Sequence, residues 1–432
     1  MDSDALVYTA IFGDGSRVEP GMTEEEARQK IREQAREKGI IPSSIYDFYH
    51  AIGTGKVIPR FTVPAINIRT LTYDTAQIVF GLIKKHTIGP VIFEIARSEM
   101  EYTTQSPDEY ATVILAAALQ TGYSGPVYLQ GDHFQLSAKK YKEDKEKEVQ
   151  RIKDLIDSSI AAGFYNIDID ASTLVNVEKE SLEEQQGENY AVTAELVKYI
   201  REKEKEIATS GQGGTRNDDG TGSRVEPGMT ISVGAEIGHI GGKNSTVEDL
   251  QAFMHGFLPL IGTMIGISKM SVQTGTSHGG IVDALGKVES VKLDLSILES
   301  IGKVAKEAYH LAGTVQHGAS TLPLQLFDKF PKNNCIEIHL ATGFQNIVFD
   351  TMPKILQENM YTWVVENLSE EREKNMTDQQ FIYKMRKKAL GPFKKQLWDL
   401  AAAEKKPIME ALEKHLEETF ERLGVFNTRE LY

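Results

Sequence analysis

The sequence predicts an α/β protein built on a closed (β/α)8 TIM barrel, with a helical segment before it and a helical extension after it. Short β-branched runs alternate with amphipathic helical stretches, the pattern of βα units around a parallel sheet. Eight such runs can be read, the number that closes a barrel. At 432 residues the chain has room for one large barrel with additions, or for two or three average domains.

Residues 1–45 form the leading helical segment, where Thr23 and Glu26 of "TEEEARQKIREQAREKG" stand at capping-box spacing. The barrel is assigned to residues 46–369. Its strands are expected at 61–68, 90–95, 127–130, 166–169, 231–235, 269–273, 313–316 and 336–340. Helices are expected between them at 73–85, 107–120, 144–162, 191–206, 247–260, 293–311 and 351–367. Residues 370–432 are charged, with Leu and Phe at helical spacing in "MEALEKHLEETFERLGVF", and read as a helical extension against the barrel or a neighbouring subunit. The stretch "GSRVEPGMT" occurs at 15–23 and again at 222–230, but one long-range pair without similar flanks is not a repeat architecture. The second copy lies in a Gly-rich loop from a helix into a strand, which a barrel places opposite its catalytic face.

A formal net charge of −14 repels a phosphate backbone or an anionic membrane, and the lysine runs alternate in sign as solvated helix faces do. Neither nucleic acid nor membrane is therefore expected as a partner. Cys335 is the only cysteine, so no internal disulfide can form, as suits a reduced cytoplasm. The first residues carry acid where a signal peptide needs base, and no apolar run reaches membrane-spanning length, so a cytoplasmic location is expected.

In a barrel, chemistry collects at the C-terminal strand ends. The third strand, in "GPVYLQGDHFQLS", stops on Gly131, Asp132 and His133; the fourth ends with Asp168 and Asp170, and the fifth with Glu236. His278, His317 and His339 fall at or beyond the last three ends. A single strand-end histidine more often just bonds a loop carbonyl, and His50, His86, His255, His310 and His415 get that ordinary reading. Three converging imidazoles beside carboxylates, however, make the ligand set of a catalytic zinc site with one position open. "HGG" and "HGAS" after the sixth and seventh strands expose backbone N–H groups suited to phosphate, and Ser320 and Thr342 add hydroxyls.

From about residue 61 to 345 the chain resembles the class II, metal-dependent ketose-bisphosphate aldolases of the fructose-bisphosphate and tagatose-bisphosphate type. The stretches that carry the resemblance, in order, are "FTVPAINIRTLT", "GPVIFEIARSE", "VYLQGDHF", "NIDIDAS", "SLEEQQGENYAVTAELVKY", "GAEIGHIGG", "TGTSHGG", "VKLDLSILESI" and "QHGASTLP". It implies His133, His278 and His317 as zinc ligands, with another divalent cation as an alternative. Glu236 would hold the metal in a second position, and Asp170 would belong to its surroundings. Asp132 would exchange a proton with the hydroxyl of the bond being broken. Asn67, Gly279, Gly318 and Ser320 would bind the phosphorylated ketose, with a monovalent cation near the phosphate, and His339 and Thr342 extend that set. The implied reaction is reversible cleavage of a ketose bisphosphate, fructose 1,6-bisphosphate first, by a homo-oligomer, dimer or tetramer.

The chain departs from the family pattern at Gln130, where a histidine is usual, and at "HLAT", where His339 and Ala341 replace groups that help hold the phosphorylated ketone. The loop "GGKNSTVED" lacks the usual acids, so Glu248 or Asp249 would have to reach in, or Lys243 and His239 take a different part. Rival readings are a tagatose-bisphosphate aldolase, a retro-aldol sugar epimerase, a metal hydrolase on another sugar phosphate, a Schiff-base aldolase and a non-catalytic sugar-phosphate-binding barrel. The Schiff-base route needs a desolvated lysine near a strand end, and Lys269 lies at the start of its strand.

Overall fold

Alternation along short strands decides how this chain closes. In "CIEIHL", Ile336, Ile338 and Leu340 fall on one face, and Glu337 and His339 on the other, because successive side chains in a strand point to opposite sides. The computed structural model describes residues 3–14, 21–210, 229–238, 243–276, 283 and 293–431. Its strands are β1 (Ile40–Pro42), β2 (Val63–Asn67), β3 (Ile92–Ala96), β4 (Gly125–Gln135), β5 (Asn166–Asp170), β6 (Ser232–Glu236), β7 (Lys269–Val272), β8 (Thr314–Gln316) and β9 (Cys335–Leu340). Strands β2 to β9 pair in sequence order, all parallel, and β9 returns to β2, so eight strands close into the expected barrel. The short β1, absent from the sequence reading, runs outside the ring beside the start of β4.

The helices follow the periodicity closely, and local chemistry sets their ends. Thr23 caps helix Glu24–Glu37 in the expected box with Glu26. Ser106 accepts from the Glu109 N–H to start Pro107–Gln120. The helix expected at 351–367 is present as Lys354–Leu368, and a further helix, Thr342–Thr351, precedes it, the two parted at Pro353, which has no N–H to continue a helix. Two further helices, Ser3–Phe12 and Tyr46–Gly53, were not anticipated; "SDALVYTAIF" is apolar nearly all round and shows no amphipathic stripe. Helix Ala402–Arg422 of the extension packs on Thr72–Lys85 and Thr342–Thr351. Trp398 stacks on Tyr73 at 5.8 Å and meets Tyr8 and Phe12 edge-on, so the leading and trailing segments touch across the barrel's flank. Among the described residues no helix is long and apolar enough to cross a membrane. Residues 211–228, expected as a loop and holding most of the second "GSRVEPGMT", lie outside the described residues.

Two features of the barrel bear on chemistry. Its interior is not the usual filling of Val, Ile and Leu: Glu94, Gln130, Asp168, Lys269, Glu337 and His339 are all buried there. Strand β4 is also irregular, shifting register against β5 between Gly131 and Phe134, with His133 in the left-handed region at φ +40°. The ring of Phe134 folds back beneath Gly131, so close that a Cβ on residue 131 would lie 2.3 Å from the Phe134 Cζ. We expect Gly131→Ala to push that ring out and cost about 1–3 kcal/mol, as overpacking does. Urea denaturation would register it as a lower midpoint, and an unchanged midpoint would mean the bulge tolerates a methyl group.

Candidate metal and substrate site

The β4 bulge lets two adjacent residues serve one site. In a regular strand Asp132 and His133 would diverge, yet here His133 Nε2 lies 3.6 Å from Asp132 Oδ1 and both side chains are largely buried. Around His133 gather the ends of three other strands. Its Nδ1 lies 3.1 Å from Asp170 Oδ2 at the end of β5 and 3.3 Å from Glu236 Oε2 at the end of β6. The ring of His317, just after β8, is centred 4.2 Å from that of His133, with Nδ1 3.8 Å from Glu236. One donor atom from each of His133, Glu236 and His317 falls within 4.8 Å of the others. Two imidazoles and a carboxylate at such spacing suit a divalent cation of the zinc type. The third expected imidazole, His278, and the expected substrate residue Gly279 lie outside the described residues, as does His239.

Protonation follows from this crowding. Burial first, then the charge of Asp170, pushes the Glu236 carboxyl up to about 8. Burial pulls His133 down, but Asp132, Asp170 and Glu236 outweigh it and raise the imidazole well above its ordinary value. Asp170 goes the other way: burial would raise it, but bonds from His133, Ser172 and Gln135 bring it down to about 2. Asp132 is likewise held low against burial by His133, His339 and His317.

A cavity of about 840 Å³ reaches this cluster at His133. Its walls are the segments after β2, β3, β4 and β9, closed on the far side by residues 373–387 of the extension. Thr342 lines it and accepts a long 3.4 Å hydrogen bond from Arg69, which also bonds Gln345 and forms an ion pair with Glu99. Ser320 Oγ accepts from the Gly343 N–H, tying the segments after β8 and β9 together, and Gly318 takes φ +66° between them. Asn67 at the end of β2 bonds Glu99 at 2.6 Å and reaches Asp132 Oδ2 at 3.5 Å. His339 lies beside Asp132 and among the carboxylates of the barrel axis, its ring 4.2 Å from that of His317. Asp249 is occupied in a capping box with Thr246, and Glu248 is exposed on the same first helical turn. Arg69 and Lys387, both on the cavity wall, were not singled out in the sequence. Arg69 stands two residues past a strand end and was open to that rule; Lys387 is distant in sequence and gives no local sign.

Residues 224–423 match the model of the family described as fructose-bisphosphate aldolase class-II. That match supports the resemblance to the class II aldolases over the later part of the chain. Glu236, His317 and His339 fall inside that class-II match, while Asp132, His133 and Asp170 come from the half of the chain before it and are brought to them by barrel closure. No curated protein matches the sequence. Among solved structures, a probable tagatose 6 phosphate kinase from Sinorhizobium meliloti 1021 is similar in fold, with a TM-score of 0.55, 11% identity, and coverage of 84% of this chain and 100% of its own. A putative fructose-1,6-biphosphate aldolase from Coccidioides immitis is 18% identical at a TM-score of 0.47, covering 90% of this chain and 99% of its own. Fructose-bisphosphate aldolase (Fba) from Campylobacter jejuni is 19% identical at 0.48, covering 90% and 96%.

Metal uptake by this cluster must displace protons, because a ligating imidazole is neutral and a ligating carboxylate ionised. With Glu236 near 8 and His133 raised, we expect the apparent zinc affinity to fall as pH drops from 8 to 6. Calorimetry in buffers of different ionisation enthalpy should show net proton release, and affinity independent of pH would place the metal elsewhere.

Proposed function

We propose that this protein catalyses reversible aldol cleavage of a ketose bisphosphate, fructose 1,6-bisphosphate first, to dihydroxyacetone phosphate and an aldehyde such as glyceraldehyde 3-phosphate. The observation that carries the reading is the meeting of His133, Glu236 and His317 beside a buried, ionised Asp132. His133, His317 and Glu236 would hold the metal, with His278 as the further ligand the family resemblance implies. When bound, a divalent cation, zinc in this reading, supplies a Lewis acid for negative charge developing on the substrate's oxygens.

The chain's own groups do the rest. Asp132 is a carboxylate at neutral pH, so it can take the proton of the hydroxyl on the carbon to be released. As that O–H proton leaves, the hydroxyl carbon becomes the aldehyde carbonyl and the neighbouring C–C bond breaks. Its electron pair passes to the ketose-phosphate half as an enediolate, which takes up a proton to give dihydroxyacetone phosphate. In condensation Asp132 returns its proton to the new hydroxyl. Gly318, Ser320 and Thr342 form one phosphate-binding rim, where a monovalent cation would also sit. Arg69 and Lys387 bring positive charge to the cavity of a chain whose net charge is −14. Lys269 does not favour the Schiff-base alternative: burial would lower it, but Asp168 and Glu337 raise it, so it stays protonated without a lone pair to attack a carbonyl.

A coupled assay for dihydroxyacetone phosphate, run on fructose and tagatose 1,6-bisphosphates, tests this directly. Activity should vanish in chelator and return with zinc, and a product that is only an epimer would replace the aldolase reading with the epimerase one. Asp132→Asn should lower kcat by about 10²–10⁴-fold, the usual worth of a general base, with metal content unchanged. Lys387→Met should raise KM for the bisphosphate by about tenfold, the scale of one charge-assisted hydrogen bond; an unaltered KM would remove Lys387 from the substrate.

A further inference from the structure

Below Asp132 the barrel axis holds a connected column of polar side chains that the aldol step does not use. His339 stands at its top: Nδ1 lies 3.1 Å from Asp132 Oδ1 and 3.0 Å from Glu94 Oε2, and Nε2 lies 2.7 Å from Glu337 Oε1. Glu337, two residues earlier on the same face of β9, is gripped by Lys269 Nζ, by Gln130 Nε2 at 2.8 Å and by the Tyr49 hydroxyl at 2.5 Å. Lys269 in turn bonds Gln130 Oε1 at 2.8 Å and Asp168 at 3.0 Å. Gly234 leaves the room for that last pair, since a Cβ there would meet Asp168 Oδ1 at 2.3 Å and Lys269 Cε at 2.8 Å. The contacts thus run unbroken from helix Tyr46–Gly53, which leads into β2, up to the carboxylate at the mouth.

Such a column is a poor way to stabilise a barrel. Desolvating ions is expensive, and well-packed apolar side chains of similar volume often do as well or better. What aliphatic packing cannot do is fix the rotation of a carboxylate. Asp132 needs that fixing because it sits on the bulge, where β4 is least regular. On the aldolase reading of Asp132, we propose that His339 is a positioning residue that clamps Asp132 Oδ1 and passes to it the rigidity of the Glu337–Lys269 pair. Oδ2 is thereby left to Asn67, at 3.5 Å, and to the substrate hydroxyl. On this reading His339 acts through Asp132, with its ring also 4.2 Å from that of His317.

The test compares wild type with His339→Leu, His339→Gln and Glu337→Gln, the last being nearly isosteric and remote from substrate. His339→Leu should lower kcat about 100-fold, as misplacement of a reacting group does, with KM within about threefold of wild type. His339→Gln, which keeps a hydrogen-bonding group, should recover part of that loss, and zinc content should stay at the wild-type level in all three. Crystal structures of Glu337→Gln and His339→Gln should show the Asp132 carboxylate rotated or in two orientations. Unchanged kcat, a loss wholly in KM, or an undisturbed Asp132 in both structures would overturn the clamp. A fall in zinc content would overturn it too, by making His339 a ligand. If wild type cleaved no ketose bisphosphate, the aldolase reading would fail, while the orientation of Asp132 in the crystals would still decide the clamp.

Discussion

A pleated strand sends neighbouring side chains to opposite faces, and this site needs two neighbours on the same face. The β4 bulge meets that need: one residue in the left-handed region, His133, turns the chain so that it and Asp132 both reach the mouth. The rest of the site takes its place from there. Asp170 and Glu236, from the next two strands, converge on His133 because barrel closure brings β4, β5 and β6 side by side. Phe134 seals the space the bulge creates, which is why a glycine stands at position 131. Strain in one strand is thus balanced by packing under it and hydrogen bonds over it.

The charges inside the barrel are sorted by their neighbours. Burial raises Glu94 far above the usual carboxylate range, and the charge of Asp132 adds to this, so Glu94 stays protonated. Glu337 is buried as deeply, yet Lys269 and His339 hold it ionised. Identical side chains a few ångströms apart so carry different charges, the condition for acid and base to coexist in one pocket. The arrangement also explains why Lys269, a buried amine in a barrel, is no nucleophile: its charge is what Glu337 and Asp168 require.

Much of the barrel was legible because its strands are short and β-branched and its helices long and amphipathic; periods of 2 and 3.6 residues are local signals. Where the reading slipped, the cause was equally local. Thr342–Thr351 follows directly on a strand end and was not separated from it, and Ser3–Phe12 had no polar face to mark it. Strand-end logic pointed to Asp132, His133, Glu236 and His317, which the structure brings together, whereas a wall formed by chain folding back from residues 373–387 has no signature near the strands. The polar column did leave one: Glu94 between Phe93 and Ile95, and the alternation of "NIDID" and "IEIHL", set polar groups between large apolar neighbours, and apolar side chains against the helices leave the polar ones facing the axis. His339 was read as a substrate contact from its visible strand-end address, while its carboxylate neighbours, on β3, β4 and β5, are distant in sequence and gave no local sign.

Trp398 has an effect beyond its own packing. The segment that walls the cavity is bound to the body at Arg386, through Asn346 and Tyr361, and further on at Trp398, which lies against aromatic rings from both the first helix and the flank of the barrel. The leading and trailing segments therefore act like the halves of a buckle whose strap crosses the mouth of the cavity. A change at Trp398 would slacken the strap at one anchor while leaving Ile408, Leu412, Leu416 and Phe420 of the last helix buried in the core.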